Sequence, residues 1–194
     1  MISLDIDHPF KQSLAIKRHS KTVIVGQNGS GKTTLLQKML HTLDAPYTGY
    51  CPDSVPLYPQ LTLSQYIEFV ASIRKLPAKR GDVLLSFFTL DPYRHHRLSD
   101  LSKGYKQLVN IVQSCLGDPD ILLMDEPMSH LDPEHILLLI DWLKGFKGTL
   151  VFSTHQFDVI SPIVTDIIVV KSLHIARHQS LQDASILDIY MACQ

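Results

Sequence analysis

The pattern of apolar and polar residues predicts that strands alternate with helices along most of the chain. Residues 2–6 and 13–17 alternate between the two classes, which is typical of half-buried antiparallel strands. Residues 22–25 and 120–124 are almost entirely apolar, as expected for central strands of a parallel sheet. Further strands are predicted at 50–51, 149–153, 167–170 and 173–176. This alternation indicates an α/β fold with a mainly parallel sheet and a small antiparallel N-terminal β-subdomain.

Residues 52–98 have a different pattern. Prolines break the chain early in this segment, and helical spacing of apolar residues follows at about 62–74 and 79–89, with no strand pattern. We therefore predict an α-helical subdomain, approximately residues 53–116, that is inserted in a single domain spanning residues 1–194. Other helices are predicted after residue 34, within 99–116, at 133–144, from near His155, and at 184–192.

Residues 26–34 match the phosphate-binding P-loop pattern G-x-x-x-x-G-K-[ST] between a predicted strand and a predicted helix. The glycines allow backbone N–H groups to point into the loop, and the helix N-terminus adds the positive end of its dipole. We expect Lys32 to reach the β- and γ-phosphates of a nucleotide and the Thr33 hydroxyl to ligate Mg²⁺. The predicted nucleotide-binding residues of the loop are Gln27, Asn28, Gly29, Ser30, Gly31, Lys32, Thr33 and Thr34.

Two acidic residues follow the apolar strand at 120–124. Asp125 lies where a second strand would present a carboxylate to the Mg²⁺ bound by Thr33. Glu126 comes next and is well placed to polarise a water for attack on the γ-phosphate. The alternative is that the two acids only close the strand as it leaves the core. The P-loop earlier in the chain favours the catalytic interpretation.

Composition and charge exclude several classes of protein. The 194 residues suffice for one domain with a proper core, and 18 basic against 19 acidic residues give no electrostatic reason for a nucleic-acid partner. Apolar runs such as 136–140 are too short to span a bilayer, and the N-terminus lacks the layout of a signal peptide. Cys51, Cys115 and Cys193 are far apart and fit free thiols in a reducing compartment.

These motifs, with three further ones, resemble the nucleotide-binding domain of ABC transporters over nearly the whole chain. The resemblance identifies residues 26–34 as Walker A and residues 121–127 as Walker B. It identifies residues 101–107, with the sequence LSKGYKQ, as the signature, residues 129–132 as the D-loop, and His155 as the switch histidine. The signature is the motif that separates this family from other P-loop proteins.

The resemblance implies that two domains pair head to tail, with the signature of one closing over the ATP in the P-loop of the other. Ser102, Lys103, Gly104 and Tyr105 would then contact ATP in trans. Ser102 also suits the N-cap of the following helix, and Gly104 lets a phosphate approach the backbone. Asp132 would cross the dimer interface, although it suits the N-cap of the next helix equally well.

Three more residues take their expected roles from the resemblance. His155 would bond the γ-phosphate and act with Glu126 in catalysis. Asp53 stands where the family has the Q-loop glutamine; an ionised aspartate only accepts hydrogen bonds, but it can bind Mg²⁺ directly or through water. We expect Asp53 to keep the link between the nucleotide and the helical subdomain. Phe10 is the candidate for stacking on adenine, with packing in the core as its alternative role.

The resemblance implies an ATP-hydrolysing subunit of a membrane transporter with ATP and Mg²⁺ as cofactors. The expected partners are a separate transmembrane permease subunit and a second ATPase subunit, with a homodimer favoured and no nucleic acid. The Leu-Ser-Lys-Gly-Tyr form of the signature resembles small exporter ATPases and favours export. The implied location is cytoplasmic, peripheral on the inner face of the cell membrane.

Two other functions fit parts of the sequence. A soluble ABC-type ATPase acting on ribosomes or DNA would share the motifs, but such relatives usually have tandem domains or a long coiled-coil insertion. A P-loop kinase or regulatory NTPase would share only the P-loop, because it needs neither the signature at 101–107 nor His155.

Overall fold

The computed structural model describes residues 1–43, 48–54, 56–76, 79–181 and 184–193, without the side chains of residues 79 and 80. Its strands are β1 (Ile2–Ile6), β2 (Gln12–Ile16), β3 (Lys21–Val25), β4 (Thr48–Cys51), β5 (Ile121–Met124), β6 (Thr149–Ser153), β7 (Asp166–Lys171) and β8 (His174–Ser180). Its helices are α1 (Lys32–Thr42), α2 (Leu63–Ile73), α3 (Lys79–Phe87), α4 (Lys103–Cys115), α5 (Pro133–Gly145), α6 (Phe157–Ile160) and α7 (Ile186–Met191).

Six of the strands form one sheet in the order β4–β5–β6–β3–β7–β8, and β1 and β2 form a separate antiparallel pair. All neighbours in the large sheet are parallel except β7 and β8. The predicted mixed fold, with a mainly parallel sheet and a small antiparallel one, is confirmed. The carboxyl ends of β3, β5 and β6 therefore meet at one edge of the sheet, which is where parallel sheets bind ligands.

Successive residues of the central strands face two separate cores. On one face, Ile24 and Val151 pack with apolar side chains of α1 and of the β1–β2 pair. On the other face, Val25 and Phe152 pack with apolar side chains of α2, α4 and α5. Because both faces are covered, the central strands are buried and their sequences are almost continuously apolar.

The segment between β4 and β5 is helical, as its pattern predicts. Its described residues form α2, α3 and α4 with two short 3₁₀ turns, Asp91–Tyr93 and Leu98–Asp100, and contain no strand. Thr62 and Gln65 form a capping box at the start of α2, which fixes where that helix begins. α4 packs against β4 and so ties the segment to the large sheet. The division of the chain into a core and an inserted subdomain stays a prediction.

Two elements differ from the sequence prediction. The helix expected from near His155 begins at Phe157 and has four residues, because Pro162 follows closely and cannot continue a helix. The strand expected at 173–176 begins at His174 and continues to Ser180. It is an edge strand with mostly exposed polar side chains, so its apolar signal is weak. The sequence at 44–49, which contains a proline and a glycine, also predicts a turn, and residues 44–47 of it lie outside the described residues.

Candidate functional site

The P-loop joins β3 to α1 at the ligand-binding edge of the sheet. Gly29 and Gly31 have φ angles of 77° and 109°, which only glycine adopts readily, and Gly31 caps α1. The ammonium group of Lys32 is folded back over the loop, where its Nζ donates to the carbonyl oxygens of Gly26 at 3.0 Å and Gln27 at 3.3 Å. The Ser30 hydroxyl is buried without a hydrogen-bond partner among the described residues. The loop is therefore formed as the glycine pattern predicts.

A chain of short hydrogen bonds joins the ends of α1, β5 and β6. The Thr33 hydroxyl donates to Asp125 Oδ2 at 2.6 Å, and the Ser153 hydroxyl donates to Asp125 Oδ1 at 2.6 Å. The same Ser153 oxygen accepts from the backbone N–H of Glu126 at 2.9 Å. Asp125 is almost completely buried, so these bonds fix its carboxylate opposite Thr33.

The oxygen atoms of Thr33 and Asp125 suit a magnesium ion. Mg²⁺ prefers oxygen ligands and is usually held by one or two protein groups together with phosphates and waters. Among the described residues there is no group of three or more His, Cys, Asp or Glu side chains that could hold a metal ion. The hydroxyl and carboxylate oxygens have the donor chemistry for a metal that is bound together with a nucleotide.

Glu126, which follows Asp125 in the chain, has a strained backbone conformation. Its φ is 45°, in the left-handed region that non-glycine residues rarely adopt and that is common at functional sites. Burial raises the pKa of the Glu126 carboxyl above its ordinary value. The charge of Lys32 opposes that rise, while the carboxylates of Asp125 and Asp53 add to it. A raised pKa brings this carboxylate closer to the range in which a general base works near neutral pH.

His155 comes from the loop after β6 and faces Glu126. Its Nε2 lies 3.1 Å from Glu126 Oε1, although the two are not aligned for a hydrogen bond. Burial and the charge of Lys32 lower the pKa of the imidazole below its ordinary value. A lowered pKa favours the neutral ring, in which one nitrogen donates and the other accepts.

These residues line one open cavity of about 600 Å³. Its walls come from the P-loop, from the ends of β4, β5 and β6, and from the β7–β8 turn. The lining residues are Asn28, Gly29, Gly31, Lys32, Thr33, Thr34, Asp53, Asp125, Glu126, Ser129, His130, His155 and Leu173. The sequence thus identified most of the side chains that the fold brings together.

Asp53 reaches this cavity from the loop after β4, next to the helical segment. The preceding carbonyl, of Pro52, accepts a hydrogen bond from Asn110 Nδ2 at 2.6 Å, and Asn110 lies in α4. The carbonyl of Cys51 accepts from the backbone N–H of Asp125 at 2.7 Å. The start of this loop is therefore bonded both to α4 and to the end of β5.

The signature residues lie at the start of α4 and are not among the residues that line this cavity. Ser102 is the N-cap, and its hydroxyl accepts from the backbone N–H of Tyr105 at 3.2 Å. Ser102 and Lys103 are exposed. At Gly104, an added Cβ would lie 2.8 Å from the carbonyl oxygen of His130, so glycine is needed for the signature to pack on the D-loop. The signature is thus an exposed helix start that does not line the cavity at the P-loop of its own chain.

Asp132 is the N-cap of α5, as its alternative role predicts. Its Oδ1 accepts from the backbone N–H of His135 at 2.9 Å, and its Oδ2 lies 2.8 Å from His135 Nδ1. The His135 ring also meets the edge of Tyr105, whose hydroxyl accepts from Tyr93 at 2.8 Å. Asp132 remains exposed, so capping leaves it accessible at the surface.

Phe10 has the core-packing role rather than the adenine-stacking one. Its side chain is 4% exposed and lies in the core formed with β1, β2 and α1. A ring this deeply buried has no face open to a nucleotide base. The sequence left both roles open because an aromatic residue in a short loop suits either.

The structure adds three contributors to which the sequence analysis assigned no role in the site. Ser153 orients Asp125, Asn110 ties the Asp53 loop to α4, and Leu173 lines the cavity. The sequence could have indicated Ser153, because this residue ends a strand next to β5 and the carboxyl ends of parallel strands lie at the same edge of the sheet. Asn110 follows the signature on α4 and Leu173 lies well after His155, and their contacts with the site are recognised only in three dimensions.

Comparisons with known proteins agree with this geometry. A family model described as ABC transporter matches residues 11–129, more than half of the chain. MJ1023 of Methanocaldococcus jannaschii and YxlF of Bacillus subtilis, both uncharacterised ABC transporter ATP-binding proteins, are each 28% identical over 82% and 88% of this chain. The chain spans about two thirds of their length, 67% and 65% respectively. GCN20 of Saccharomyces cerevisiae is 30% identical over 80% of this chain and 22% of its own length.

Solved structures share the fold. The ATP-binding subunit of an ABC transporter superposes with a TM-score of 0.88 at 20% identity, covering 98% of each chain. MJ0796, described as a dimeric bacterial ABC transporter cassette, superposes with a TM-score of 0.80 at 23% identity, covering 95% of this chain and 100% of that one. At these identities the likeness establishes the architecture.

Proposed function

The chain belongs to the ABC transporter family of ATP-binding domains, and we propose that it hydrolyses ATP in a nucleotide-driven dimer that powers a membrane transporter. The reaction is ATP plus water to ADP plus phosphate. The observation that carries the proposal is the bonded set Thr33–Asp125–Ser153, with Glu126 beside it at the mouth of a P-loop. This set combines a metal site, an ordered carboxylate and a candidate base within one cavity.

Each side chain has a defined task in this proposal. Lys32 and the N-terminus of α1 bind the β- and γ-phosphates. Thr33 and Asp125 would hold Mg²⁺, which neutralises charge that develops on the phosphates. Glu126 accepts a proton from the attacking water, and the neutral imidazole of His155 orients the water and the γ-phosphate.

We place the complete active site between two copies of the chain. The cavity around Lys32 is open, and the exposed start of α4 lies outside it. In a head-to-tail pair, Ser102, Lys103, Gly104 and Tyr105 of one copy would close over the ATP bound by the other. ATP then favours the closed dimer and hydrolysis reopens it, because only the triphosphate satisfies both half-sites.

A permease is the partner that would receive this motion. No helix in the described part of the chain has the length and apolar character to cross a bilayer. The helical segment carries exposed Tyr58, Phe69 and Ile73, and Tyr58 meets Phe69 edge-on at 5.4 Å between ring centroids. Exposed apolar side chains grouped in this way are typical of a docking surface. We propose that a separate transmembrane subunit docks there and holds the chain on the inner face of the membrane.

Export is the direction we propose, because the signature has the form Leu-Ser-Lys-Gly-Tyr.

A second candidate function is a soluble ABC-type ATPase that acts on ribosomes or DNA. The similarity to GCN20, a relative whose name does not describe a transporter, favours it. The net charge of −1 argues against nucleic acid as the main partner.

Phosphate release by the purified chain tests the proposed ATPase activity. We expect Mg²⁺-dependent release that is lost in Lys32→Ala and in Thr33→Ala. Lys144→Gln is the matched control, because Lys144 is exposed at the end of α5, away from the P-loop. Absence of release by the wild-type chain with and without membranes, or equal release by Lys32→Ala, would overturn the proposal.

Fractionation of cells that produce the tagged chain separates the two candidate functions. Recovery with membranes, reduced by Phe69→Asp, supports a transporter subunit. Recovery with ribosomes, or with DNA that nuclease treatment removes, supports the soluble alternative.

A further inference from the structure

The turn between β7 and β8 has an unusual sequence for its conformation. Lys171 pairs with His174, so Ser172 and Leu173 form a two-residue hairpin turn. Their φ angles are 48° and 58°, both in the left-handed region. Turns of this kind strongly favour asparagine and glycine, because a branched side chain is strained there. Leucine at this position is therefore unfavourable for the hairpin itself.

The same leucine lies against the P-loop. Its backbone N–H donates to the carbonyl oxygen of Ser30 at 2.8 Å. Its Cδ2 is 2.6 Å from the position that a Cβ on Gly31 would occupy, so the side chain lies over the glycine. Leu173 is 39% exposed and lines the nucleotide cavity. The strained residue is thus held at the ligand site rather than in the core.

Leu173 is also chemically distinct from its neighbours in the cavity. Among the described residues that line the cavity, it alone has a hydrocarbon side chain; the others are glycines or carry polar groups. Phe10 Cζ lies 3.3 Å from the position that a Cβ on Gly31 would occupy, but the Phe10 ring is buried beneath the surface. The polar lining suits the phosphates and metal of a nucleotide, and Leu173 is the one hydrocarbon side chain that the described lining offers to a base or ribose.

We propose that Leu173 forms the apolar contact for the nucleoside of the bound nucleotide, in place of an aromatic platform. The inference rests on the proposed function, since it assumes that the cavity binds ATP. The strain at φ 58° is retained because the side chain it presents is needed by the ligand. The contact is non-directional, so it supports nucleoside binding without distinguishing ATP from GTP.

Leu173→Asn and Leu173→Gly test this proposal because Leu173 has two opposing effects. Its strained conformation lowers the stability of the turn, whereas its side chain strengthens ATP binding. Both replacements suit a left-handed turn, so we expect the melting temperature without nucleotide to rise by about 2–4 °C. We expect the Kd for ATP to increase about fivefold through loss of the apolar contact. The Kd for tripolyphosphate with Mg²⁺, which has no nucleoside, should stay unchanged. Leu137→Gln, at an exposed leucine of α5, is the control for ATP binding.

Each outcome bears on the inference in a distinct way. Unchanged ATP affinity in both variants overturns it, because the nucleoside then does not need Leu173. Equal weakening of ATP and tripolyphosphate also overturns it, since the side chain would then act only by packing on the P-loop at Gly31. If the wild-type chain binds neither ATP nor tripolyphosphate, the proposed function fails as well. Weaker ATP binding with unchanged tripolyphosphate binding supports it.

Discussion

Glu126 Oε1 and His155 Nε2 lie 3.1 Å apart across the ends of two neighbouring parallel strands, without the alignment of a hydrogen bond. The buried Oε1 has no other hydrogen-bond partner among the described residues. A buried acceptor left unsatisfied is costly, and at functional sites it is commonly completed by a ligand or a water. In the proposed mechanism, this oxygen would bind the attacking water beside the γ-phosphate.

Replacing either member of this pair should stop turnover while leaving nucleotide binding intact. We expect Glu126→Gln to lower kcat by about 10²–10⁴-fold, the range for loss of a general base. His155→Ala should lower kcat as well, with the Kd for ATP changed little in both variants. Steady-state phosphate release with fluorescent-nucleotide binding measures the two quantities. Glu134→Gln, on an exposed glutamate of α5, should keep wild-type turnover; a Glu126→Gln enzyme with normal kcat would remove Glu126 from the mechanism.

Asp53 should act through the metal rather than through the phosphates. It lines the cavity beside Asp125 and Glu126, and its carboxylate can bind Mg²⁺ through a water. We expect Asp53→Ala to raise the Mg²⁺ concentration for half-maximal hydrolysis several-fold, with unchanged ATP affinity in EDTA. Asp53→Gln should restore part of the activity, because glutamine also offers an oxygen. If neither variant changes hydrolysis or its stimulation by the permease, the proposed link through Asp53 is wrong.

The sequence predicted the sheet and the position of the P-loop well because both depend on local patterns. Val25 and Met124 end continuous apolar runs, and glycines and acids follow directly. It did not resolve the role of Phe10, since burial depends on how the β1–β2 turn packs over α1. Leu173 was missed because the pattern assigned it to a strand that begins one residue later, at His174, and so gave no sign of the turn over the P-loop. The sequence assigned no role to Ser153 in orienting Asp125, because that contact joins two strands that are distant in the chain.

Gly104 should be required for pairing rather than for ATP binding. A Cβ there would lie 2.8 Å from the carbonyl oxygen of His130, so Gly104→Ala must displace the signature from the D-loop. Overpacking of this kind costs about 1–3 kcal/mol. We expect at least tenfold weaker ATP-dependent dimerisation, measured by analytical ultracentrifugation, with monomer ATP affinity retained. Gly145→Ala is the matched control, because nothing lies within 4 Å of its Cβ position and alanine favours a helix.

A different pairing result would contradict the trans arrangement. If Gly104→Ala lowered the ATP affinity of the monomer, the contact of Gly104 with His130, which lines the cavity, would serve nucleotide binding within one chain. If it changed neither affinity nor pairing, the contact with His130 would have no functional role.

Because of Asp166, the stability of the fold should fall at acidic pH. Burial alone would raise its pKa, but hydrogen bonds from Thr165 and Ser180 and the charge of Lys17 outweigh burial and lower it. A native pKa below the unfolded one means that the unfolded chain binds more protons, so stability falls as pH drops from the ordinary aspartate range through the lowered native value.

Urea unfolding of Asp166→Asn checks this assignment. We expect the variant to be less stable by about 1–3 kcal/mol at pH 7, with the difference from wild type shrinking as pH falls through that range. Asp141→Asn, at an exposed aspartate of α5, should show neither effect. If the loss of stability in Asp166→Asn stays constant with pH, Asp166 contributes to stability through its shape and not through its charge.

The central claim, that ATP closes two copies of the chain over shared sites, is tested most directly by light scattering of Glu126→Gln with and without ATP and Mg²⁺. Without turnover, the triphosphate should remain bound between the P-loop of one copy and Ser102 of the other. We predict a shift from monomer to dimer that requires ATP and disappears when Gly104→Ala is added. A chain that binds ATP and stays monomeric at saturating nucleotide would contradict self-pairing.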